Sequence, residues 1–317
     1  VTVISDSTET IRSAIECARR IAAEVSVDGK LWSPELHADM PASLLSGIAK
    51  VTPSASCRTV DTALALMQAG FGAIVLLRPI VDPDDLSVLA QVCRQMEVTA
   101  VVDHFRHVEL LSRVAVESST QICVLVEVDL GNETTGVRPG PDSVRLAQAA
   151  ATMPGIEVSG IYIDDRQCLW DPISDSADRL TFDDCVNIGR HCQRMIRDAG
   201  VSCPSLVTGR VHRNESLVNE AVTRVLFPVD AVGNSLPVCE SLVNAGVFEA
   251  RVISRPSLEW CIVAVGIQQL SALQPSACLI PSGAKIRHLH EDVATLGLSG
   301  DALDLRIGDT VRFLSPK

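Results

Sequence analysis

Three strings in this 317-residue chain bring together side chains of the types that do chemistry. Asp103-His104, with His107 close behind, ends the apolar run Ala100–Val102; an aspartate beside a histidine at the end of a buried strand supplies an acid and a base. His288-Leu-His290, followed by Glu291 and Asp292, places both imidazoles on one face of an extended segment, where a carboxylate would complete a divalent-metal set. Arg210, His212 and Arg213 crowd cations into the loop Thr208-Gly-Arg-Val-His-Arg-Asn-Glu-Ser216, which suits an anion held by charge-assisted hydrogen bonds. Each string also has a plainer reading. Asp103 serves as a helix cap with exposed histidines, His288 and His290 face solvent at a domain seam, and the basic loop is simply solvated.

The elements that must position these residues alternate along the chain. Thr8–Val25 carries apolar residues at Ile11, Ala14, Ile15, Ala18, Ile21 and Ala22, which is helical spacing. Short apolar runs of buried-strand type follow at Ala73–Leu77, Ala100–Val102, Ile122–Val128, Ile156–Ile163 and Ser205–Val207. Helical patterns lie between them at Val60–Gln68, Asp84–Met96, Val108–Val116, Pro141–Met153 and Leu180–Ala199. Strands apolar throughout, separated by amphipathic helices, predict a parallel sheet covered by helices, and this many units predict a closed α/β barrel of the (β/α)8 TIM type. After about residue 230 the helical period fades and β-type segments succeed one another at Ala250–Ser254, Cys261–Val265, Cys278–Ile280 and Thr310–Leu314. The expected division is a barrel domain over 8–230 and a mainly-β domain over 231–317 together with 1–7.

A formal charge of −12 argues against nucleic acid or an anionic membrane as partner, since both require a cationic surface. No run approaches the ~20 apolar residues of a membrane span, and Val1-Thr-Val-Ile-Ser-Asp6 has neither a basic nor an apolar leader block. Eleven cysteines without a CxxC spacing, mostly in apolar contexts, read as reduced core residues of a cytoplasmic protein. Only four lysines occur, Lys30, Lys50, Lys285 and Lys317, and all four read as surface residues.

Several strings resemble, in order, those of the D-threonine aldolase and D-serine dehydratase group of alanine racemase-like pyridoxal-phosphate proteins. Val126-Glu-Val-Asp-Leu-Gly-Asn-Glu-Thr-Thr-Gly-Val137 resembles that family's Asp-x-Gly-x-x-Arg-x-Gly turn. Arg251-Val-Ile-Ser-Arg-Pro256 resembles its Val-Val-Ser-Arg-Pro strand, and Leu289-His-Glu-Asp-Val293 with Leu305-Arg-Ile-Gly-Asp309 resembles its closing segments. The resemblance implies a barrel followed by a β domain, a homodimer, pyridoxal phosphate, and lyase chemistry on D-3-hydroxy amino acids.

Residue by residue, the resemblance places functional positions on other side chains here. The family's imine lysine, near the end of the first strand, falls on His37 in Ser33-Pro-Glu-Leu-His37, and an imidazole forms no Schiff base. Lys30 is the one candidate for a relocated anchor. The arginine of the Asp-x-Gly turn is Thr134. In Gly160-Ile-Tyr-Ile-Asp164 the family's tyrosine survives as Tyr162 and the histidine after it becomes Asp164; Asp-Ala-Gly becomes Ala264-Val-Gly266. The phosphate loop keeps Thr208 and Gly209, with Arg210 and His212 beside them. The aldolases' divalent-metal pair falls past the last strand, where Ser315-Pro-Lys317 ends this sequence.

Three functions compete. The first is a homologue that has lost pyridoxal-phosphate catalysis and binds a small, anionic ligand through Thr208, Gly209, Arg210 and His212. The second is a pyridoxal-phosphate lyase using Tyr162. The third is a repurposed, cofactor-independent enzyme using His37, Asp103 and His104, with Glu35 and Asp39 at the same barrel mouth and a metal at His288 and His290.

Overall fold

The computed structural model describes residues 8–131, 133–165, 180–209, 217–227, 229, 247–270, 278–290 and 292–314. Eight parallel strands form the first sheet: β1 (Leu31–Trp32), β2 (Ser54–Cys57), β3 (Ala73–Leu76), β4 (Glu97–Val102), β5 (Ile122–Glu127), β6 (Ile156–Tyr162), β7 (Ser205–Thr208) and β8 (Arg224–Val225). Their order runs β1-β8-β7-β6-β5-β4-β3-β2, so the first two strands form the two edges. The segment after β1 joins those edges. Ser33 N and Glu35 N donate to the carbonyls of Val225 and Leu226 at 3.0 and 3.2 Å, while Leu36 N and Ser56 N exchange bonds with Ser56 O and Pro34 O at 2.9 and 2.8 Å. The sheet thereby closes into the expected barrel, with seven helices among the described residues on its outside.

Those helices are α1 (Thr8–Val27), α2 (Ala42–Ala49), α3 (Val60–Ala69), α4 (Pro83–Cys93), α5 (Phe105–Ser118), α6 (Pro141–Ala151) and α7 (Phe182–Asp198). Local chemistry sets their ends. Thr59 accepts from Thr62 N at the start of α3, and Gly70 ends it at φ 97°, in the left-handed region open to glycine. Asp82 caps α4 with Pro83 in the first turn, and Thr181 with Asp184 forms a reciprocal capping box on α7. The main core lies between helices and strands. A smaller cluster of Val75, Leu77, Val101, Leu125, Tyr162, Val207 and Leu226 fills the barrel interior, so the barrel is a packed body and not a pore.

The second sheet is antiparallel: β9 (Val247–Ser254), β10 (Trp260–Val263), β11 (Cys278–Ile280), β12 (Ala284–Leu289), β13 (Ala294–Leu298) and β14 (Thr310–Leu314), in the order β11-β14-β9-β10-β13-β12. It has its own core around Val252, Cys261, Leu296 and Phe313. Val81 and Leu110 from the barrel pack with Ile253, Ile262 and Val293 from this sheet, sealing the two together.

Two sequence expectations fail here. Lys30 is not a surface residue; it is buried, and its ammonium donates to the carbonyls of Asn219 and Val222, each at 2.9 Å. Burial lowers its pKa, partly offset by Asp28 and Glu220. The eleven cysteines are not all reduced, because Cys185, in the first turn of α7, is disulfide-bonded. An apolar context is equally compatible with a thiol and with a disulfide, so the sequence pattern could not separate them.

Candidate functional site

All eight strands point their carboxyl ends to one rim, and the residues just past those ends form a polar ring. Arg58, after β2, donates from Nε to Glu35 Oε1 at 2.7 Å, and its Nη1 meets the Asp292 carboxylate. Arg78, after β3, donates to the Asp292 carbonyl and lies 3.7 Å from that carboxylate. Asp292 sits in the turn between β12 and β13, so Glu35, Arg58, Asp292 and Arg78 form a nearly buried, charge-balanced chain joining the barrel rim to the β sheet. Desolvating four ionised groups is costly, and the mutual hydrogen bonds offset that cost. Spacing did not reveal this group, because its members come from three strand ends and a turn more than two hundred positions away. The serines of β2 also hid the strand that carries Arg58. Ser56 donates to Ser33 O at 2.9 Å and Ser54 bonds Ser33 through their hydroxyls at 2.7 Å, satisfying polar side chains inside the seam.

Asp103, after β4, is fully enclosed. Its Oδ2 accepts from Gly136 N at 2.9 Å and Ser254 Oγ at 2.5 Å, and its Oδ1 lies 3.1 Å from His107 Nδ1. Burial pushes its pKa up, but His107 first, then Gly136 and Ser254, outweigh this and hold it below the usual carboxylate value. Gly136 has φ 118°, and a Cβ there would strike the Asp129 backbone, so only glycine brings this N–H to the carboxylate. His107 Nε2 lies 2.8 Å from Ile253 O. His104 does not join Asp103. Its Nδ1 accepts from Arg106 N at 3.0 Å, so His104, and not Asp103, caps α5. Burial, with the nearby His107 adding to it, lowers the His104 pKa.

The remaining expected residues are dispersed. His37 is partly exposed, just past Glu35, and Asp39 is exposed. Tyr162 is 1% exposed inside the barrel cluster. Glu127, at the end of β5, accepts from Thr135 Oγ1 at 2.8 Å, and Thr134 lies on that same loop. Thr208 ends β7 with its Oγ1 buried and without a hydrogen-bond partner among the described residues, next to Gly209 at φ 89°. Arg210, His212, Arg213 and Glu291 lie outside the described residues. His288 and His290 have ring centroids 6.4 Å apart, but His288 Nε2 faces Glu133 Oε2 at 3.4 Å and Asp292 turns to the arginines. Among the described residues no group of three or more His, Cys, Asp and Glu is placed to hold a metal ion. Nor does any described helix have the length and apolarity to cross a membrane.

A closed parallel barrel sealed to an antiparallel β domain, with a polar ring on the carboxyl rim, defines the class: an alanine racemase-like fold. Residues 9–164, just under half of the chain, match the family model of the alanine racemase N-terminal domain. The chain is a homologue of D-threonine aldolase: the Arthrobacter sp enzyme is 33% identical over 105 residues, 33% of this chain and 28% of the aldolase. The match thus spans well under half of that relative's length. In three dimensions the chain is similar to D-threonine aldolase from Filomicrobium marinum (TM-score 0.62, 18% identity, 96% of this chain and 85% of that one). It is also similar to D-threo-3-hydroxyaspartate dehydratase from Delftia sp. HT23 (0.56, 16%, 96% and 88%). For the alanine racemase of Clostridium difficile 630 the values are 0.56, 13%, 97% and 85%. At these identities the structural likeness establishes the fold. Members of the family are pyridoxal-phosphate dependent, some with a metal.

Proposed function

We propose that this chain is a small-anion-binding member of the family that does not carry out imine chemistry. The observation that carries this reading is the filling of the rim beyond β1, β2 and β3 by Glu35, Arg58, Asp292 and Arg78. An imine-bound pyridoxal phosphate needs an amine at that rim, and none of the three described lysines supplies it. Lys30 precedes β1 and is tied to Asn219 O and Val222 O, which precede β8, so it belongs to the opposite rim. Lys50 follows α2 and is exposed at that same far end, and Lys285 is exposed on β12. Tyr162, the survivor of the family's tyrosine position, is enclosed in the apolar plug.

Anion binding is supported at the end of β7. A buried hydroxyl with no partner forgoes a hydrogen bond worth about 1 kcal/mol or more. Thr208 has such a hydroxyl, and Gly209 turns the backbone beside it as anion-cradling loops require. The reading places Arg210 and His212 around the same ligand. A homodimer in the cytoplasm belongs to the same reading, through the resemblance, and sedimentation analysis of the purified protein checks the dimer.

The decisive experiment is incubation with pyridoxal phosphate, an absorbance scan, then borohydride and peptide mass spectrometry. The expected result is no visible imine band and no pyridoxyl-lysine. A stable band fixed to one lysine would overturn the reading and restore a lyase acting on D-3-hydroxy amino acids.

A further inference from the structure

A cleft of about 590 Å3 opens between the start of α5 and the β sheet, walled by His104, Phe105 and Arg106 on one side and Arg255, Leu258 and Arg306 on the other. None of Glu35, Arg58, Arg78 or Thr208 lines it. Its volume is in the range of small-molecule sites.

The charges in the cleft do not cancel. Arg106 is met by Glu109 at 3.1 Å. Arg255 donates from Nη2 to the carbonyls of Leu258 and Leu303, at 3.1 and 2.7 Å, and Arg306 from Nη1 to those of Leu303 and Leu305, at 3.5 and 3.3 Å. Carbonyls orient a guanidinium and leave its charge in place, and among the described residues no carboxylate side chain pairs with either arginine. Arg255 Nη1 is buried without an acceptor among the described residues. In a chain of net charge −12, whose overall field repels anions, two oriented and uncompensated cations stand apart. Beside them the wall is apolar and open, with Phe105 42% and Leu258 77% exposed. His104 Nδ1 is already engaged by Arg106 N, which leaves its Nε2 as a neutral donor.

We propose that this cleft binds a small amphipathic carboxylate, with the carboxylate between Arg255 and Arg306 and the hydrocarbon body on Phe105 and Leu258. Inorganic phosphate would satisfy the arginines but leave the apolar wall bare, and an alkyl amine would meet the wrong charge.

Calorimetric titration of the full chain with hexanoate, phosphate and hexylamine tests this. Hexanoate is expected to saturate one site, phosphate to bind more weakly and hexylamine not at all. Arg306→Gln removes a charge-assisted hydrogen bond and should weaken hexanoate about tenfold or more. Leu258→Glu, on an exposed side chain that leaves the fold intact, should abolish it by repulsion. Thr208→Val should leave hexanoate unchanged, so failure here is distinguishable from failure of the reading at the barrel rim. Unsaturable hexanoate, unaltered binding in both cleft variants, phosphate displacing hexanoate at equal concentration, or loss of hexanoate in Thr208→Val would each overturn the proposal.

Discussion

The His107 imidazole spans two acceptors, the Asp103 carboxylate at 3.1 Å from Nδ1 and the Ile253 carbonyl at 2.8 Å from Nε2. The Ile253 carbonyl can only accept, so Nε2 carries a hydrogen, and the buried contact of Asp103 with His107 ties the end of β4 to β9 across the two sheets. Asp103 adds Ser254 from the same strand. With Oδ2 held by Gly136 N and Ser254 Oγ and the side chain enclosed, Asp103 has the place of a clasp between the sheets.

Removing one member of this contact leaves the other without its partner in a dry site. His107→Ala and Asp103→Asn should each lower unfolding free energy by about 3 kcal/mol or more. Urea denaturation measures it, and a loss below about 1 kcal/mol would remove the clasp from the account.

The clasp also sets an acid limit. Because the folded pKa of Asp103 lies below its unfolded value, its contribution is fully present above that unfolded value and is lost as pH falls through the folded one. The gap in stability between the wild-type chain and Asp103→Asn should stay constant from pH 7 to about pH 5 and narrow below about pH 4. A gap independent of pH would show that the carboxylate charge contributes nothing.

The rim network predicts non-additivity. Arg58→Met leaves Glu35 buried beside its lost partner and should cost about 3 kcal/mol, whereas Glu35→Gln with Arg58→Met should recover part of that loss. Additive losses in the double-mutant cycle would mean that the 2.7 Å contact is energetically idle.

Gly136→Ala should destabilise the chain by about 2 kcal/mol or more, through strain at φ 118° and displacement of the Gly136 N–H from Asp103. Thermal unfolding reads this directly.

Cys185 predicts a thiol count. Titration of the denatured, unreduced protein should find two fewer reactive thiols than titration after reduction, and equal counts would contradict the disulfide.

The helices were legible because their apolar period and caps are local. The pattern over Leu180–Ala199 corresponds to α7 at Phe182–Asp198, trimmed by the Thr181 cap. The strands Ser54–Cys57, Leu31–Trp32 and Arg224–Val225 were not, since one is built of small and hydroxylated residues and the others are two residues long. The pairing of Asp103 with His104 failed for a geometric reason. A residue ending a strand and its neighbour point apart, and the first turn of α5 swings His107 back to the carboxylate instead. Asp292 was visible as a carboxylate near two histidines, but only the folded chain shows it committed to Arg58 and Arg78.

The ring closes through the earliest strand, and that has a consequence for synthesis. Leu31 and Trp32 pair with Arg224 and Val225, and Lys30 anchors to Val222, 192 positions along. On the ribosome, the first strand therefore waits for almost the whole barrel to emerge before it finds its neighbour. Until then Ser54–Cys57, at the other margin, has its pairing groups open on one side, the condition in which nascent chains associate with one another. A chain cut short before Arg224 leaves β1 without the strand it pairs with.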